Sequence, residues 1–313
     1  GGMSDGTTDE VPGTWRHSRA GYRELVGRCQ AALTAGESYE LCLTSRFDVD
    51  PGLGERIDPL GLFLELTERT PTPYAALLEV GTDGVTPVRG ATAGGGGFAV
   101  VSASPEQFLS GTDGVWSTKP IKGTAPRHAD PVADVAAAER LTTDPKTFAE
   151  NLMIVDLLRN DLGRVCEPGS VHVPALMEVE SYATVHQLVS TVLGRAAPSV
   201  EAVDVVRALF PGGSMTGAPK LRSVSLLAEM EAAPRGVYSG ALGFLGADGR
   251  TELSIVIRTA VRDAAGRWSV GAGGAVVLDS DPDAEADEVL LKARSVRQEM
   301  ARVARPRGVP NAG

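Results

Sequence analysis

The chain has 313 residues, 42% hydrophobic and 22% charged, with 40 acidic against 30 basic side chains and a formal net charge of −10. That composition supports one large or two ordinary domains and excludes disorder along the whole chain. The acidic balance excludes nucleic acid and anionic membrane surfaces as general partners, because both would repel the protein. No apolar run reaches the roughly 18 residues of a membrane span, and the opening GGMSDGTTDE lacks the basic and apolar stretches of a signal peptide, so a cytoplasmic protein is expected.

Residues 1–14 are polar and read as a disordered lead-in, with Gly1 and Gly2 as a tag remnant; 308–313 read as a disordered tail, leaving 15–307 as the folded domain. Ser18 is placed to cap a helix to Ala35, with Tyr22, Leu25, Val26, Cys29, Ala32 and Leu33 at helical spacing and Gly36 ending it. An alternating strand follows from Ser38 to Phe47. Asp58-Pro59 then opens a short helix to Arg69, and Tyr74 to Val80 reads as strand. Residues 81–97, ending in Gly94 to Gly97, read as a flexible loop. Strands at 98–103, 107–110 and 114–119 place Lys119-Pro120-Ile121-Lys122-Gly123-Thr124 at a strand exit, before helices at 131–142 and 145–160. Further strands are expected at 171–179, 185–194, 237–245, 252–262 and 267–271, with helices at 201–209, 218–231 and from Ala284 to Arg305. Many strands beside long helices, without a fixed repeat, indicate an α+β protein rather than a βαβ array.

Cys29, Cys42 and Cys166 are widely spaced and suit buried free thiols rather than a disulfide framework. His17, His128, His172 and His186 show no zinc-ligand spacing. In Gly212-Gly213-Ser214-Met215-Thr216-Gly217-Ala218-Pro219-Lys220 two residues separate the last glycine from the lysine, which breaks the phosphate-loop pattern. Gly271-Ala272-Gly273-Gly274 misses the third glycine of a dinucleotide fingerprint. Glu285 and Glu288 lie three apart on an expected helix, so both carboxylates leave from one face, and Glu150 heads another helix. A solvated acidic face is the bland reading of such a pair. Hard carboxylate oxygens suit magnesium, which takes one or two of them, keeps several waters, and accepts an anionic substrate group.

The run Pro120-Ile121-Lys122-Gly123-Thr124-Ala125-Pro126-Arg127 resembles the P-I-K-G-T-x-P-R element of the aminodeoxychorismate synthase component I family. Ser104-Pro105-Glu106-Gln107-Phe108 resembles its S-P-E-x-F, and Glu150-Asn151-Leu152-Met153-Ile154-Val155-Asp156-Leu157-Leu158-Arg159-Asn160-Asp161 its E-N-L-M-I-V-D-L-x-R-N-D helix. Val185-His186-Gln187-Leu188-Val189-Ser190, the Pro211 to Lys220 loop, Ile255-Val256-Ile257-Arg258-Thr259 and Ala284-Glu285-Ala286-Asp287-Glu288 are similar to the wider chorismate-utilising family of anthranilate, isochorismate and salicylate synthases. The likeness runs in order from about residue 15 to 305. It implies an anthranilate synthase component I-like fold in which two large β-sheets pack together with helices outside and the site lies at one end.

The same resemblance implies the chemistry: chorismate and ammonia give 4-amino-4-deoxychorismate by two successive displacements. Lys122 adds at C2 as the C4 hydroxyl leaves, and ammonia then adds at C4 and expels the lysine. Glu106 is implied as the acid that protonates the departing hydroxyl. Glu150 and Glu288 are implied as direct Mg2+ ligands, with Glu285 acting through water; Thr147 stands where some anthranilate synthases carry a further glutamate. Arg258 would pair with a substrate carboxylate, and Tyr238 would donate a hydrogen bond. Gly273 and Gly274 would let backbone N–H groups approach an anion, Lys292 would add charge, and Ser214, Thr124 and His186 would line the site, with simple packing the alternative for His186. Since only about one lysine in two thousand is neutral at pH 7, the site is expected to desolvate Lys122 or set cations beside it. Anthranilate synthases typically carry alanine at the Lys122 position. The water-activating lysine of isochorismate and salicylate synthases corresponds here to about Glu40. No glutaminase elements are visible, so a glutamine amidotransferase subunit or fused domain is expected to supply ammonia. The family's N-terminal region of a hundred or more residues also has no counterpart, which suggests a compact member or an excised module. Another chorismate-utilising activity, or a catalytically idle chorismate-binding module, are the competing readings.

Overall fold

The computed structural model describes residues 9–81, 97–183 and 185–305. Most of the expected glycine-rich loop, the first eight residues and the C-terminal tail lie outside the described residues. In chain order the elements are β1 (Gly13–Trp15), α1 (Arg19–Thr34), β2 (Glu40–Val49), α2 (Pro51–Gly54), α3 (Pro59–Arg69), β3 (Tyr74–Val80), β4 (Phe98–Ser104), β5 (Gln107–Thr112), β6 (Val115–Lys119), β7 (Ile121–Pro126), α4 (Pro131–Thr143) and α5 (Pro145–Gly163). They continue with β8 (His172–Ser181), β9 (Val185–Arg195), α6 (Ala202–Leu209), a 3₁₀ turn (Gly213–Met215), β10 (Gly217–Ala218), α7 (Lys220–Glu231), β11 (Ala241–Leu245), β12 (Thr251–Ile255), β13 (Thr259–Arg262), β14 (Trp268–Val276) and α8 (Pro282–Ala304). Helix starts follow local chemistry: α3, α4, α5 and α8 each open on Asp-Pro, with the Asp side chain accepting a first-turn backbone N–H and proline at a position that needs no donor.

Two antiparallel sheets of seven strands each organise the chain, giving the α+β architecture expected from the sequence. The first runs β1-β2-β14-β13-β4-β3, with the short β10 also paired to β2. The second runs β11-β12-β5-β6-β9; β7 continues along the same side of β9 as β6, and β8 covers the other side. One apolar core packs the first sheet against α1, α3, α7 and α8 through residues such as Tyr22, Leu43, Phe47, Leu62, Leu227 and Val296. The other packs the second sheet against α5 and α6 through Phe108, Leu109, Ile154, Leu158, Val192 and Val205. The three cysteines are buried free thiols. Among the described residues no helix is long and apolar enough to cross a membrane.

Four local expectations are corrected. Residues 9–14 do not form a disordered lead-in: Val11 is buried, its N–H donates to the Arg297 carbonyl at 3.1 Å, and Gly13 opens β1 against β2. The polar composition of this stretch hid two apolar anchors, Val11 and Trp15, that fasten it to the first core. The strand expected at 237–245 begins only at Ala241, because Val237–Gly240 forms a turn with Ser239 at φ 71. The strand expected at 252–262 is two strands, β12 and β13, in different sheets. Lys122 lies inside β7 rather than at a strand exit.

Leu62 of α3 is fully buried in the first core. Leu62→Ala should therefore lower unfolding free energy by roughly 2–5 kcal/mol in urea denaturation; a loss near zero would contradict this packing.

Candidate active site

β6 and β7 are one strand path interrupted at Lys119-Pro120, where proline removes a ladder donor. Directly after the break, Ile121 faces Val189 and Thr124 faces Gln187, so Lys122 and Gly123 share the space opposite one residue. Such a bulge re-aims side chains. Gly123 adopts φ 96, and a Cβ there would lie 2.7 Å from the Thr147 methyl, so the kink requires glycine. The re-aimed Lys122 is buried, and its Nζ donates to Glu40 Oε1 at 2.7 Å, with Glu150 Oε2 at 3.8 Å. Since Glu40 belongs to β2 and Lys122 to β7, the pair joins the two sheets.

Burial alone would push the Lys122 amine down, but the charges of Glu40 and Glu150 and the Glu40 hydrogen bond outweigh it and hold the amine above the usual lysine range. The site thus desolvates this lysine as expected, yet carboxylates rather than cations lie nearest to it. Glu40 is the functional candidate that sequence reasoning missed, having been read only as a position without lysine. Its signal was present: an acid directly before three apolar strand residues, Leu41, Cys42 and Leu43.

Glu106 and Arg258 occupy two neighbouring crossings between the sheets. β4 of the first sheet runs through Pro105 into β5 of the second, and β12 of the second returns through Val256–Arg258 into β13 of the first. Hydrogen bonds lock the crossings side by side: Ser104 Oγ donates to the Ile255 carbonyl at 2.6 Å, Ile255 N–H to the Glu106 carbonyl at 3.0 Å, and Ala103 N–H to the Arg258 carbonyl at 3.1 Å. Arg258 turns the corner at φ 51, a strained value for a residue with a side chain. Burial pushes the Glu106 carboxyl up to about 6, against a hydrogen bond from Ser214 and the charges of Lys122, Lys292 and Arg258. Those influences place Glu106, Ser214, Lys122, Lys292 and Arg258 in one neighbourhood. Burial lowers the Arg258 guanidinium, with Tyr238, Glu288 and Glu106 opposing.

Gly273 and Gly274 lie within β14, paired with Thr44 and Leu43 of β2. Neither position has room for a Cβ. A Cβ at Gly274 would stand 2.7 Å from Glu285 Oε2 and 3.9 Å from Glu288 Oε1, so both carboxylates of α8 converge over this glycine. At Gly273 a Cβ would collide with the Leu43 carbonyl at 2.5 Å, and at Gly271 it would enter the Tyr238 ring. Lys292 Nζ donates to the Gly273 carbonyl at 3.0 Å and pairs with Glu288. Burial pushes the Tyr238 phenol up, which keeps it a hydrogen-bond donor. A cavity of about 510 Å³ lined by Arg16, Thr44, Arg46, Arg235, Tyr238 and Gly271 reaches the same ring without including Lys122 or Glu106.

Two expected site residues stand apart. His186 uses both ring nitrogens elsewhere, Nδ1 with Ser181 Oγ at 2.8 Å and Nε2 with Asp134 Oδ1 at 3.0 Å. Thr124 is exposed, beyond the bulge. Neither is brought to Lys122 by a contact among the described residues.

Among the described residues no three His, Cys, Asp or Glu side chains form a ready-made cation cage. Magnesium does not demand one, since it takes one or two carboxylates and retains water. Glu150 and Glu288 fit that need, with hard oxygens on partly exposed side chains that each lie beside a lysine. Glu285 is buried and accepts from Ser280 Oγ at 2.7 Å, which suits a supporting place behind them.

Residues 4–298 match the family described as chorismate binding enzyme, and the chain belongs to that family. An aminodeoxychorismate synthase of Streptomyces pristinaespiralis is 53% identical over 293 residues, spanning 92% of this chain and 38% of its own length. The chloroplastic aminodeoxychorismate synthase of Arabidopsis thaliana is 49% identical over 281 residues, spanning 89% of this chain and 28% of its own length. The chain thus spans well under half of either relative. The crystal structure of anthranilate synthase component I from Streptococcus pneumoniae aligns at a TM-score of 0.78 and 31% identity, over 92% of this chain and 60% of that one. The expected anthranilate synthase component I-like fold is therefore the observed one.

The folded-state value of Glu106, about 6, exceeds the 4.5 of a free glutamate. A raised carboxyl contributes stability that is full below about 4.5 and is lost as pH rises through about 6. Replacing it with the neutral isostere removes that loss. Glu106→Gln should therefore gain on wild type by about 2 kcal/mol between pH 4 and pH 8 in urea unfolding. An offset between the two proteins that stays constant across this range would contradict the burial of the charge.

Proposed function

We propose that this chain carries the amination of chorismate at C4, giving 4-amino-4-deoxychorismate, in the cytoplasm. The observation that carries the reading is the re-aimed, buried Lys122 amine in the same neighbourhood as the raised Glu106 carboxyl. The two aminodeoxychorismate synthases of about half identity support it.

The Lys122 ammonium first gives a proton to solvent; the free amine then bonds to C2 as the two conjugated ring double bonds shift and the C4–O bond breaks. Glu106 gives its proton to the departing oxygen, which leaves as water. Ammonia then bonds to C4, the two double bonds shift back, and the C2–Nζ pair returns to the lysine. The new ammonium at C4 passes one proton to Glu106, which restores the acid and balances the cycle as chorismate plus ammonia to product plus water. A carboxyl near 6 suits a group that must both give and take a proton near neutrality. Arg258 is suited to a substrate carboxylate through its planar fork, and Tyr238 to a substrate oxygen. Lys292 adds positive charge, and Ser214 holds Glu106 by its hydrogen bond. Glu150 and Glu288 would hold Mg2+, with Glu285 behind them; when bound, that ion supplies charge that neutralises a substrate carboxylate. Ammonia comes in this reading from a glutamine amidotransferase subunit or fused domain, for which the greater length of the relatives leaves room.

Wild type and Lys122→Ala, each given chorismate, magnesium and ammonium, distinguish this reading by product mass and ultraviolet spectrum. Wild type should form 4-amino-4-deoxychorismate, and the variant should lose it on the order of a thousandfold or more, as removal of a covalent nucleophile does. Anthranilate or isochorismate from wild type, or undiminished C4 amination by the variant, would contradict it.

A further inference from the structure

The Glu40 side chain is fully buried, and its only hydrogen-bond partner among the described residues is the Lys122 amine, at 2.7 Å; its second oxygen, Oε2, is buried without a partner. A carboxylate buried this way is costly unless its partner is held in place. The backbone beneath it is clamped. The Glu40 carbonyl accepts from Ser38 Oγ at 2.8 Å, and Ala218 of β10 lies opposite Glu40. Next to it, Gly217 approaches so closely, at φ 137, that a Cβ would stand 1.9 Å from the Glu40 oxygen. Lysine, by contrast, places its amine on a flexible four-carbon stem. The other carboxylate near that amine, Glu150, stands 3.8 Å away, beyond a direct hydrogen bond.

We propose that Glu40 is the positioning residue for the Lys122 amine: from β2, clamped by its pairing with β10, its carboxylate holds Nζ at the place from which it meets the substrate ring. This rests on the reading of Lys122 as nucleophile. Among the described residues the Glu40 carboxylate touches only the Lys122 amine and acts through it. Its contribution is to remove the freedom of the stem, so that chorismate meets an amine already in place, and orientation of this kind governs kcat more than substrate binding.

Three variants separate position from charge and from folding: Glu40→Ala, Glu40→Asp and Glu40→Gln, each assayed for kcat and for chorismate KM with ammonium as nitrogen source. Gln keeps an acceptor oxygen at the same reach, and Asp keeps the charge but falls one methylene short. Positioning predicts that Ala and Asp lose on the order of a hundredfold in kcat with KM within about threefold, while Gln retains activity to within about tenfold of wild type. The inference is overturned if Ala matches wild type, or if activity follows charge, with Asp active and Gln inactive. It is also overturned if all three fail in proportion to lost melting temperature. Those outcomes leave wild-type C4 amination intact, so they differ from failure of the proposed function, in which wild type itself forms no 4-amino product.

Discussion

A buried amine held between two sheets is the constraint around which the rest of this structure is arranged. An ammonium and a carboxylate removed from water are costly, and their attraction offsets that cost only with good geometry. Lys122 and Glu40 meet this condition because each is set by a rigid local device, a bulge with Gly123 on one strand and the close approach of Gly217 on the other. The apolar cores lie where each sheet meets its own helices, which leaves the junction of the sheets available for ionisable groups.

The same junction explains why the other reactive groups sit where they do. Two adjacent chain segments pass from sheet to sheet, and one brings Glu106 and the other Arg258. Corner positions leave the ladder, so their side chains are not bound to the strict alternation of a strand. The left-handed backbone of Arg258 is strain that the flanking pairs hold in place. Helix α8 completes the arrangement by laying Glu285 and Glu288 over Gly274 and Lys292 against Gly273.

How much of this was legible in the sequence follows from how local each cause is. The Asp-Pro caps of α3, α4 and α5 and the apolar spacing of α1 are short-range features, and the observed elements agree with them; β2 is a strand as expected, but it is buried on both faces over Glu40–Ser45 rather than alternating. The crossing at Val256–Arg258 was not legible, because the apolar run around it reads as one strand and no glycine marks the left-handed residue. The Glu40 partnership joins residues 82 apart, which no local pattern reports. His186 shows the reverse case: its motif was legible, but its ring is engaged by Ser181 and Asp134, a distinction that only tertiary contacts make.

Membership of the chorismate binding enzyme family sets the substrate class in view, and the amine between the sheets sets the chemistry proposed for it. The most direct measurement is rapid acid quenching of the wild-type protein during turnover of chorismate, followed by peptide mass mapping. A transient species heavier by chorismate less one water, located at Lys122 and decaying as the aminated product appears, is the predicted result. Product formation at full rate while that peptide stays unmodified at every time point would contradict covalent participation of Lys122.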